Sequence, residues 1–314
     1  MNIRIRDYAQ SVKSDIDPDL APDAAAPDHC VNGCALRATE ALKRAASGLT
    51  DLDRINVSVI FDGMRISHQS IQILLSSGSK PTSVDALALA RLQLESLYAI
   101  CLMVEDPKWI SVYIKDGWKK MYKLFLCQRQ EYGDLPRARE KLEREFLPAI
   151  RNLQELCGVK EEEKATIEVE ELEIPVPSGK GVSITSFPTP GRIIKKIHDA
   201  DRRKMLMRLY AEYDQLSSYV HGLPSSEMLR RILGDHHDSS TGEREIIFDE
   251  RVAGPALHYS CLSVAQASSE LTCLYPNDVE LRARVTDAWN LLTKHSLLGK
   301  TIWEIRTRKL LGSI

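Results

Sequence analysis

The stretch VDALALARLQLESLYAICLMV, residues 84–104, decides the fold prediction because it is apolar around nearly its whole circumference. Its main polar interruptions are few, and they are Arg91, Gln93, Glu95 and Ser96. A helix with so little polar surface is buried on most of its sides. We therefore predict a mainly α protein, a helical bundle with this segment as its central helix, and the Asp106-Pro107 pair as the end of that helix.

The rest of the chain is predicted to build one helical domain around this segment, over residues 35–314, after a polar arm at residues 1–34. Two segments depart from helical periodicity. The alternating sequence near 164–190, bounded by proline and glycine, predicts a small β-hairpin-like excursion. The sequence EIIFDERV predicts a short strand near 244–252.

The composition excludes several classes of protein. The 314 residues are 43% apolar and 27% charged, as in an ordinary globular protein, and a net charge of -2 gives no overall attraction for nucleic acid. Seven cysteines, an odd number, lack the spacing of a secreted disulfide framework. The first residues contain no apolar signal core, and no uncharged apolar run is long enough to span a membrane. These features predict a cytoplasmic protein with no membrane partner.

The central helix carries the first candidate site. Arg91 and Glu95 lie one helical turn apart among apolar neighbours, which remove much of the water from both charges. Desolvating such a pair is costly, so structural proteins usually avoid the arrangement and functional sites use it to hold a charge in place. The alternative is a structural ion pair that ties this helix to a neighbour.

A later helix carries the second candidate site. Its core stripe repeats at spacings of three and four residues, at Leu206, Leu209, Tyr213, Leu216 and Val220. Ser217 and His221 follow the edge of that stripe one turn apart, and the end of a helix favours a protonated imidazole. We do not predict a Ser–His nucleophile, because no nucleophile elbow or oxyanion glycine motif accompanies the pair. The structural alternative is that His221 caps the helix or joins the core.

Both helices carry short motifs of a known family. An Arg-x-x-x-Glu helix occurs as RLQLESLYAI, an aspartate-proline break and an aromatic helix follow it, and a Tyr-x-x-x-Ser-x-x-x-His-Gly helix occurs as YDQLSSYVHG. With these motifs the chain resembles an all-helical bacterial family of uncharacterised function over roughly residues 80–275. That family is distantly similar to the HEPN ribonucleases and toxins, small helical bundles of bacterial defence and toxin–antitoxin systems.

The resemblance implies a metal-independent ribonuclease or a toxin-type effector of antiviral defence, with RNA as its partner and no cofactor. His221 is then the acid/base imidazole, and Arg91 is the cation that stabilises the phosphate. Glu95, Tyr213 and Ser217 complete the catalytic site.

The alternative function is a non-catalytic helical sensor or assembly subunit, in which the same residues form a buried polar network. Both functions allow a homo-oligomer or a protein partner, because the final helices are apolar.

Other polar clusters are weaker candidates. The segment HCVNGC places His29, Cys30 and Cys34 together but lacks the second pair of ligands that a zinc site needs. His236 and His237 lie in a polar loop, which we interpret as solvated. The densest basic stretch is either an RNA-contacting surface or a solvated helix face, and it consists of Lys195, Lys196, Arg202, Arg203 and Lys204.

Overall fold

The computed structural model describes residues 26–76, 80–164, 184–220 and 241–311. The main helices are α1 (Ala26–Leu42), α2 (Asp51–Ser76), α3 (Lys80–Glu105), α4 (Lys108–Tyr132), α5 (Pro136–Leu156), α6 (Pro190–Lys196), α7 (Ala200–Val220), α8 (Thr241–Leu271), α9 (Val279–His295), α10 (Leu297–Ile302) and α11 (Arg308–Leu311). A π-helical turn, Trp303–Thr307, joins α10 to α11. The prediction of a mainly α protein is confirmed.

The two predicted β segments are not supported. Residues 244–252 lie inside the 31-residue helix α8. The short apolar run in EIIFDERV does not distinguish a strand from a helical turn, because periodicity is ambiguous over so few residues. In the other interval, residues 184–190 contain no strand, and residues 165–183 lie outside the described part of the chain.

The first helix begins at Ala26, earlier than the predicted start near residue 35. The Asp-, Pro- and Ala-rich composition suggested an arm, but a proline such as Pro27 fits a first helical turn, where its missing N–H has no partner to lose. Val31 and Cys34 are fully buried. The last part of the predicted arm therefore belongs to the core, while residues 1–25 lie outside the described residues.

The chain divides into two compact units, whereas the sequence predicted one domain. The first unit contains Met1–Glu105 and Thr189–Ile314, and the second is the intervening segment Asp106–Pro188. The four candidate site residues that the structure describes, Arg91, Glu95, Tyr213 and Ser217, all belong to the first unit.

Helix α3 is central in the first unit, as predicted. It packs against α2, α7 and α8, and its contact with α8 is the most extensive. Leu94, Leu97 and Ile100 are fully buried in these contacts. By length and composition, the stretch Asp85–Glu105 could also cross a membrane. Because this stretch is buried among three helices of the first unit, packing within the protein also explains why its sequence is apolar.

Helix α8 allows close packing because its buried face is built from small residues. Ala265, Ala267, Ser268 and Ser269 are fully buried. The serine hydroxyls are satisfied within the helix, since Ser268 donates to the carbonyl of Val264 at 2.8 Å and Ser269 donates to that of Ala265 at 2.7 Å. Helices α1, α2 and α3 all pack on α8, so this helix holds three others together.

The second unit is held together by an aromatic core between α4 and α5. The rings of Trp118 and Tyr122 stack with their centroids 5.3 Å apart, and Phe125 stacks on Phe146 at 6.4 Å. The Trp118 indole donates to the carbonyl oxygen of Ile150 at 3.4 Å. Because these residues all lie in one continuous segment, the second unit has a core of its own.

Candidate functional site

Two candidate site residues on α3 meet two on α7. The Arg91 guanidinium donates through Nε to the Ser217 hydroxyl at 2.8 Å and through Nη2 to the Tyr213 hydroxyl at 3.2 Å. Nη2 of Arg91 also lies 2.9 Å from Oε1 of Glu95. We call Arg91, Glu95, Tyr213 and Ser217 the Arg91 cluster, and it contains all but one of the residues proposed from the sequence.

The hydroxyl of Tyr213 connects the members of this cluster. It donates to Oε1 of Glu95 at 2.8 Å and accepts from Arg91. The guanidinium carbon of Arg91 also lies 5.3 Å from the centre of the Tyr213 ring, within cation–π range. Burial and the hydrogen bond to Glu95 raise the pKa of Tyr213, against a lowering effect of Ser217. The phenol is therefore held in its protonated form, as a hydrogen-bond donor.

Packing between α3 and α7 explains why these side chains face each other. Leu206, Leu209 and Leu216 of α7 are buried, which confirms the predicted core stripe at these positions. Tyr98 of α3 donates to the carbonyl oxygen of Leu206 at 2.6 Å, and this bond fixes the register of the two helices. Tyr213 lies on the same stripe two turns further along the helix.

The Arg91 cluster is shielded but not sealed. The side chain of Arg91 is 14% exposed, and that of Glu95 is 34% exposed. The rings of Tyr98 and Tyr210 flank Tyr213, with centroids 6.1 Å and 5.8 Å from its own. Of the two charged side chains, that of Glu95 is the more exposed to solvent.

His221, the fifth candidate residue, lies outside the described residues. Helix α7 ends at Val220, the residue that precedes it in the sequence. The participation of His221 in the site therefore stays a prediction from the sequence.

The Arg91 cluster can hold a positive charge in a fixed orientation. Ser217 and Tyr213 bind different nitrogens of the guanidinium, and Glu95 offsets part of its charge. Among the described residues, Nε and Nη2 of Arg91 have protein partners, which leaves Nη1 to donate to a phosphate or carboxylate oxygen.

A second ion cluster, which the sequence did not predict, is buried elsewhere in the first unit. Fully buried Glu270 accepts hydrogen bonds from Nε and Nη2 of Arg202 at 3.0 and 2.8 Å. It accepts from Nε and Nη2 of Arg306 at 2.9 and 3.0 Å. Two outer carboxylates complete this Glu270 cluster, since Glu105 accepts from Arg202 at 2.8 Å and Asp199 accepts from Arg306 at 2.7 Å.

The Glu270 cluster is ionised in the folded protein. Complete burial acts to raise the pKa of Glu270, but Arg202 and Arg306 overcome that effect and hold the pKa below its ordinary value. Sequence reasoning missed the cluster because its members are far apart in the chain and come from different elements. The available signal was a lone glutamate at the end of ASSE, residues 267–270, a run of small residues in a buried helix.

One residue of the predicted basic stretch belongs to the Glu270 cluster, and the others do not. Arg202 is only 4% exposed and belongs to the Glu270 cluster, so its assignment to an RNA-contacting or solvated surface is wrong. The remaining members of the stretch are exposed, and they are Lys195, Lys196, Arg203 and Lys204.

Among the described residues, the weak metal candidates His29, Cys30 and Cys34 do not form a group of three ligands. His29 is exposed on α1, whereas Cys34 is buried. His236 and His237 lie outside the described residues. Among the described residues, a different group has ligand atoms close enough to hold a metal ion, and it consists of Asp28, His68 and Cys261.

Comparison with protein-family models, curated proteins and solved structures finds no match for the chain. The resemblance to HEPN-like proteins therefore stays a prediction from short motifs. The functional argument depends on the residues of the Arg91 cluster and on the chemistry they support.

Proposed function

We propose that the protein is a cytoplasmic, metal-independent ribonuclease or toxin-type effector of bacterial defence, with the Arg91 cluster as part of its catalytic site. The observation that supports this function is the oriented guanidinium of Arg91. It is bound by Tyr213 and Ser217 on a helix that ends one residue before His221. In metal-independent RNA cleavage, an imidazole can transfer the protons and an oriented cation can stabilise the charge on the phosphate.

In the proposed reaction, the 2′-hydroxyl of RNA attacks the adjacent phosphorus, and the bond from phosphorus to the 5′ oxygen breaks. The products are a 2′,3′-cyclic phosphate and a 5′-hydroxyl. His221 removes the proton from the 2′-hydroxyl and delivers it to the departing 5′ oxygen. Arg91 stabilises the negative charge that develops on the phosphate oxygens. Tyr213 keeps its own proton and positions Arg91.

RNA binding needs a local basic surface, because the net charge of the chain is -2. The exposed residues Lys195 and Lys196 at the end of α6, with Arg203 and Lys204 at the start of α7, supply one. Phosphate contacts of this kind release counterions, so binding should weaken as salt increases.

The test is an RNA cleavage assay with purified protein in the presence of a chelator. We expect His221→Ala to lower the cleavage rate by roughly 10²- to 10⁴-fold, which is the usual contribution of general acid–base catalysis. Its thermal midpoint should stay close to that of the wild type. Arg208→Ala is the control, since Arg208 lies on α7, and its side chain is 49% exposed. Full cleavage by His221→Ala, or no cleavage and no toxicity of the wild type, contradicts the proposal.

A non-catalytic sensor or assembly subunit is the second candidate function, and one observation favours it. Arg91 on α3 donates to Ser217 and Tyr213 on α7 and so links the two helices, as a structural role requires. Tyr213→Phe distinguishes the two functions. In a structural role, loss of the hydroxyl lowers the free energy of unfolding by ~1–3 kcal/mol and changes no activity. In a catalytic site, cleavage falls as well, because Arg91 loses one of its positioning partners.

We also propose that the protein self-associates through α2. Large apolar side chains recur every seven residues on this helix and are at least half exposed: Leu52 51%, Val59 67%, Ile66 54% and Ile73 68%. A seven-residue repeat keeps these side chains on one face of the helix, as one of the two apolar positions of a coiled-coil heptad does. The repeat is symmetric about Asp62 and Gly63, so two antiparallel copies place Leu52 opposite Ile73 and Val59 opposite Ile66. A two-fold dimer requires such a self-complementary surface.

A further inference from the structure

Three metal-ligating side chains meet where α1, α2 and α8 pack together. Asp28 comes from the first turn of α1, His68 from α2 and Cys261 from α8. Their ligand atoms all lie within 4.8 Å of one another. None of the three belongs to the Arg91 cluster or the Glu270 cluster, so this is a separate site.

The distances within this group suit a small cation. Nε2 of His68 lies 3.0 Å from Oδ1 of Asp28, and Sγ of Cys261 lies 4.0 Å from the same oxygen. Ligand atoms around a tetrahedral ion, each bound at ~2.0–2.3 Å, are separated by roughly 3.3–3.8 Å. The observed separations lie on either side of that range. Side-chain shifts of about 1 Å or less would therefore complete the coordination.

Neighbouring side chains orient the ligands. Nδ1 of His68 lies 2.6 Å from Oγ of Ser260, which can accept the Nδ1 proton and leave Nε2 as the metal-binding nitrogen. Metal-bound histidines usually have such a partner on their other ring nitrogen. Gln72 donates to Oδ2 of Asp28, and its amide nitrogen also lies 3.4 Å from Nε2 of His68. Ser260 and Gln72 therefore orient two of the three ligands.

Burial and charge favour a cation here. His68 is fully buried, Cys261 is 4% exposed, and the side chain of Asp28 is 14% exposed. Among the described residues, the hydrogen-bonding partners of Asp28 are His68, Gln72 and Cys261, and none of them is a lysine or arginine. A shielded carboxylate without a fixed positive charge is costly. A divalent cation supplies that charge, and the exposed edge of Asp28 gives it a route of entry.

We propose that Asp28, His68 and Cys261 bind a divalent transition-metal ion of the zinc type. Mixed oxygen, nitrogen and sulfur ligands select this class over Mg²⁺ and Ca²⁺, which prefer oxygen ligands throughout. A water molecule takes the fourth position. On binding, the Cys261 thiol releases its proton to solvent and coordinates as the thiolate. The ion links the first turn of α1 to α2 and α8 and so stabilises the packing of these three helices.

The experiment uses the full-length protein, stripped of metal with a chelator and then titrated with Co²⁺ or Zn²⁺. We expect a single equivalent of Co²⁺ to bind and to produce a thiolate-to-cobalt charge-transfer band in the near ultraviolet. We expect Zn²⁺ to raise the thermal midpoint, because an ion that binds only the folded state stabilises it by mass action.

Matched variants locate the site. Cys261→Ala should lose the charge-transfer band and the thermal shift, whereas Cys34→Ala, which removes another buried cysteine, should keep both. Asp28→Asn is a second variant, to be used if Cys261→Ala fails to fold. The side chain of Asp28 is partly exposed, so we expect the fold to tolerate this change. The proposal is overturned if the wild type shows no saturable binding, if its cobalt complex lacks the band, or if Asp28→Asn binds as tightly as the wild type.

This inference is independent of the proposed ribonuclease activity. A structural ion leaves the Arg91 cluster untouched, so brief chelation at a temperature where the fold persists should leave RNA cleavage unchanged. Metal binding without RNA cleavage would contradict only the proposed function, and cleavage without metal binding would contradict only the metal site.

Discussion

At the scale of single residues, Glu270 is the shared partner of two buried arginines in the first unit. It receives both arginines of its cluster while fully buried. Glu270→Gln preserves the shape but leaves two buried guanidinium groups without their shared counter-charge. We expect the free energy of unfolding to fall by ~3–5 kcal/mol, the usual cost of breaking a buried ion pair. Urea denaturation measures this change.

The control for this prediction is Glu40→Gln, which removes a surface carboxylate paired with Arg37. The Glu40 side chain is 49% exposed, and such pairs contribute ~0–1 kcal/mol. Equal losses in the two variants would show that the Glu270 cluster is not a special source of stability.

His258 gives the protein a predictable response to acid. Burial lowers the pKa of His258 to about 4 from an ordinary value of 6.5, and Nε2 lies 3.0 Å from Oγ of Ser296. Below pH 6.5 the unfolded chain binds a proton at this ring that the folded chain does not, so stability falls as the pH drops from about 6.5 to 4. The two pKa values, 6.5 and about 4, set an upper limit of ~3.5 kcal/mol on this loss.

The measurement is the free energy of unfolding as a function of pH for the wild type and for His258→Gln. We expect a shallower decline between pH 6.5 and 4 in the variant. His198→Gln, at an exposed position, should follow the wild-type curve. Parallel curves for wild type and His258→Gln would show that His258 is not the group responsible.

At the scale of helices, the stripe on α2 predicts the oligomeric state. Val59→Glu and Ile66→Glu each place a charge in the proposed two-fold seam, where desolvating it opposes association. We expect a wild-type dimer, and monomers of unchanged helicity for both variants, by light scattering after size-exclusion chromatography. Leu297→Glu is the control, because Leu297 is 84% exposed but lies on α10. A monomeric wild type, or a Val59→Glu dimer, contradicts the proposed seam.

The helices also show what a sequence can predict. Helix α3 was predicted correctly because a long segment that is apolar around its circumference indicates a buried helix. The start of α8 was mistaken for a strand because the short run EIIF fits the periodicity of a helix and that of a strand. The pairing of Arg91 and Glu95 follows from their spacing on one helix. Their contact with Tyr213 and Ser217 does not, because the register between α3 and α7 depends on packing contacts such as that of Tyr98.

Neither the group of Asp28, His68 and Cys261 nor the Glu270 cluster was predicted from the sequence. Asp28, His68 and Cys261 are separated by long stretches of chain and match no ligand spacing. The sequence directed attention to His29, Cys30 and Cys34 instead, but His29 is exposed on α1 and lies on a different face from the buried Cys34. Only the packing of α1, α2 and α8 brings the three distant ligands together.

At the scale of the whole molecule, the second unit is an insertion between two segments of the first. Glu105 at the end of α3 accepts a hydrogen bond from the backbone N–H of Asp199 at 3.3 Å, and α6 packs against α3. The chain therefore returns to the end of α3 soon after the insertion. A linker of about ten Gly and Ser residues, with an average reach of roughly 17–19 Å, should replace Asp106–Pro188.

We expect this shortened protein to be soluble and helical and to melt cooperatively, because the buried clusters of the first unit lie outside the deleted segment. Circular dichroism with heating measures this, and Glu270→Gln should destabilise the shortened protein as much as the full chain. Deleting α9 instead should abolish cooperative melting, since α9 contributes the fully buried Trp289 to the core of the first unit. If the shortened protein aggregates or melts without cooperativity, the first unit depends on the insertion for its stability, and the division of the chain into two self-sufficient units is wrong.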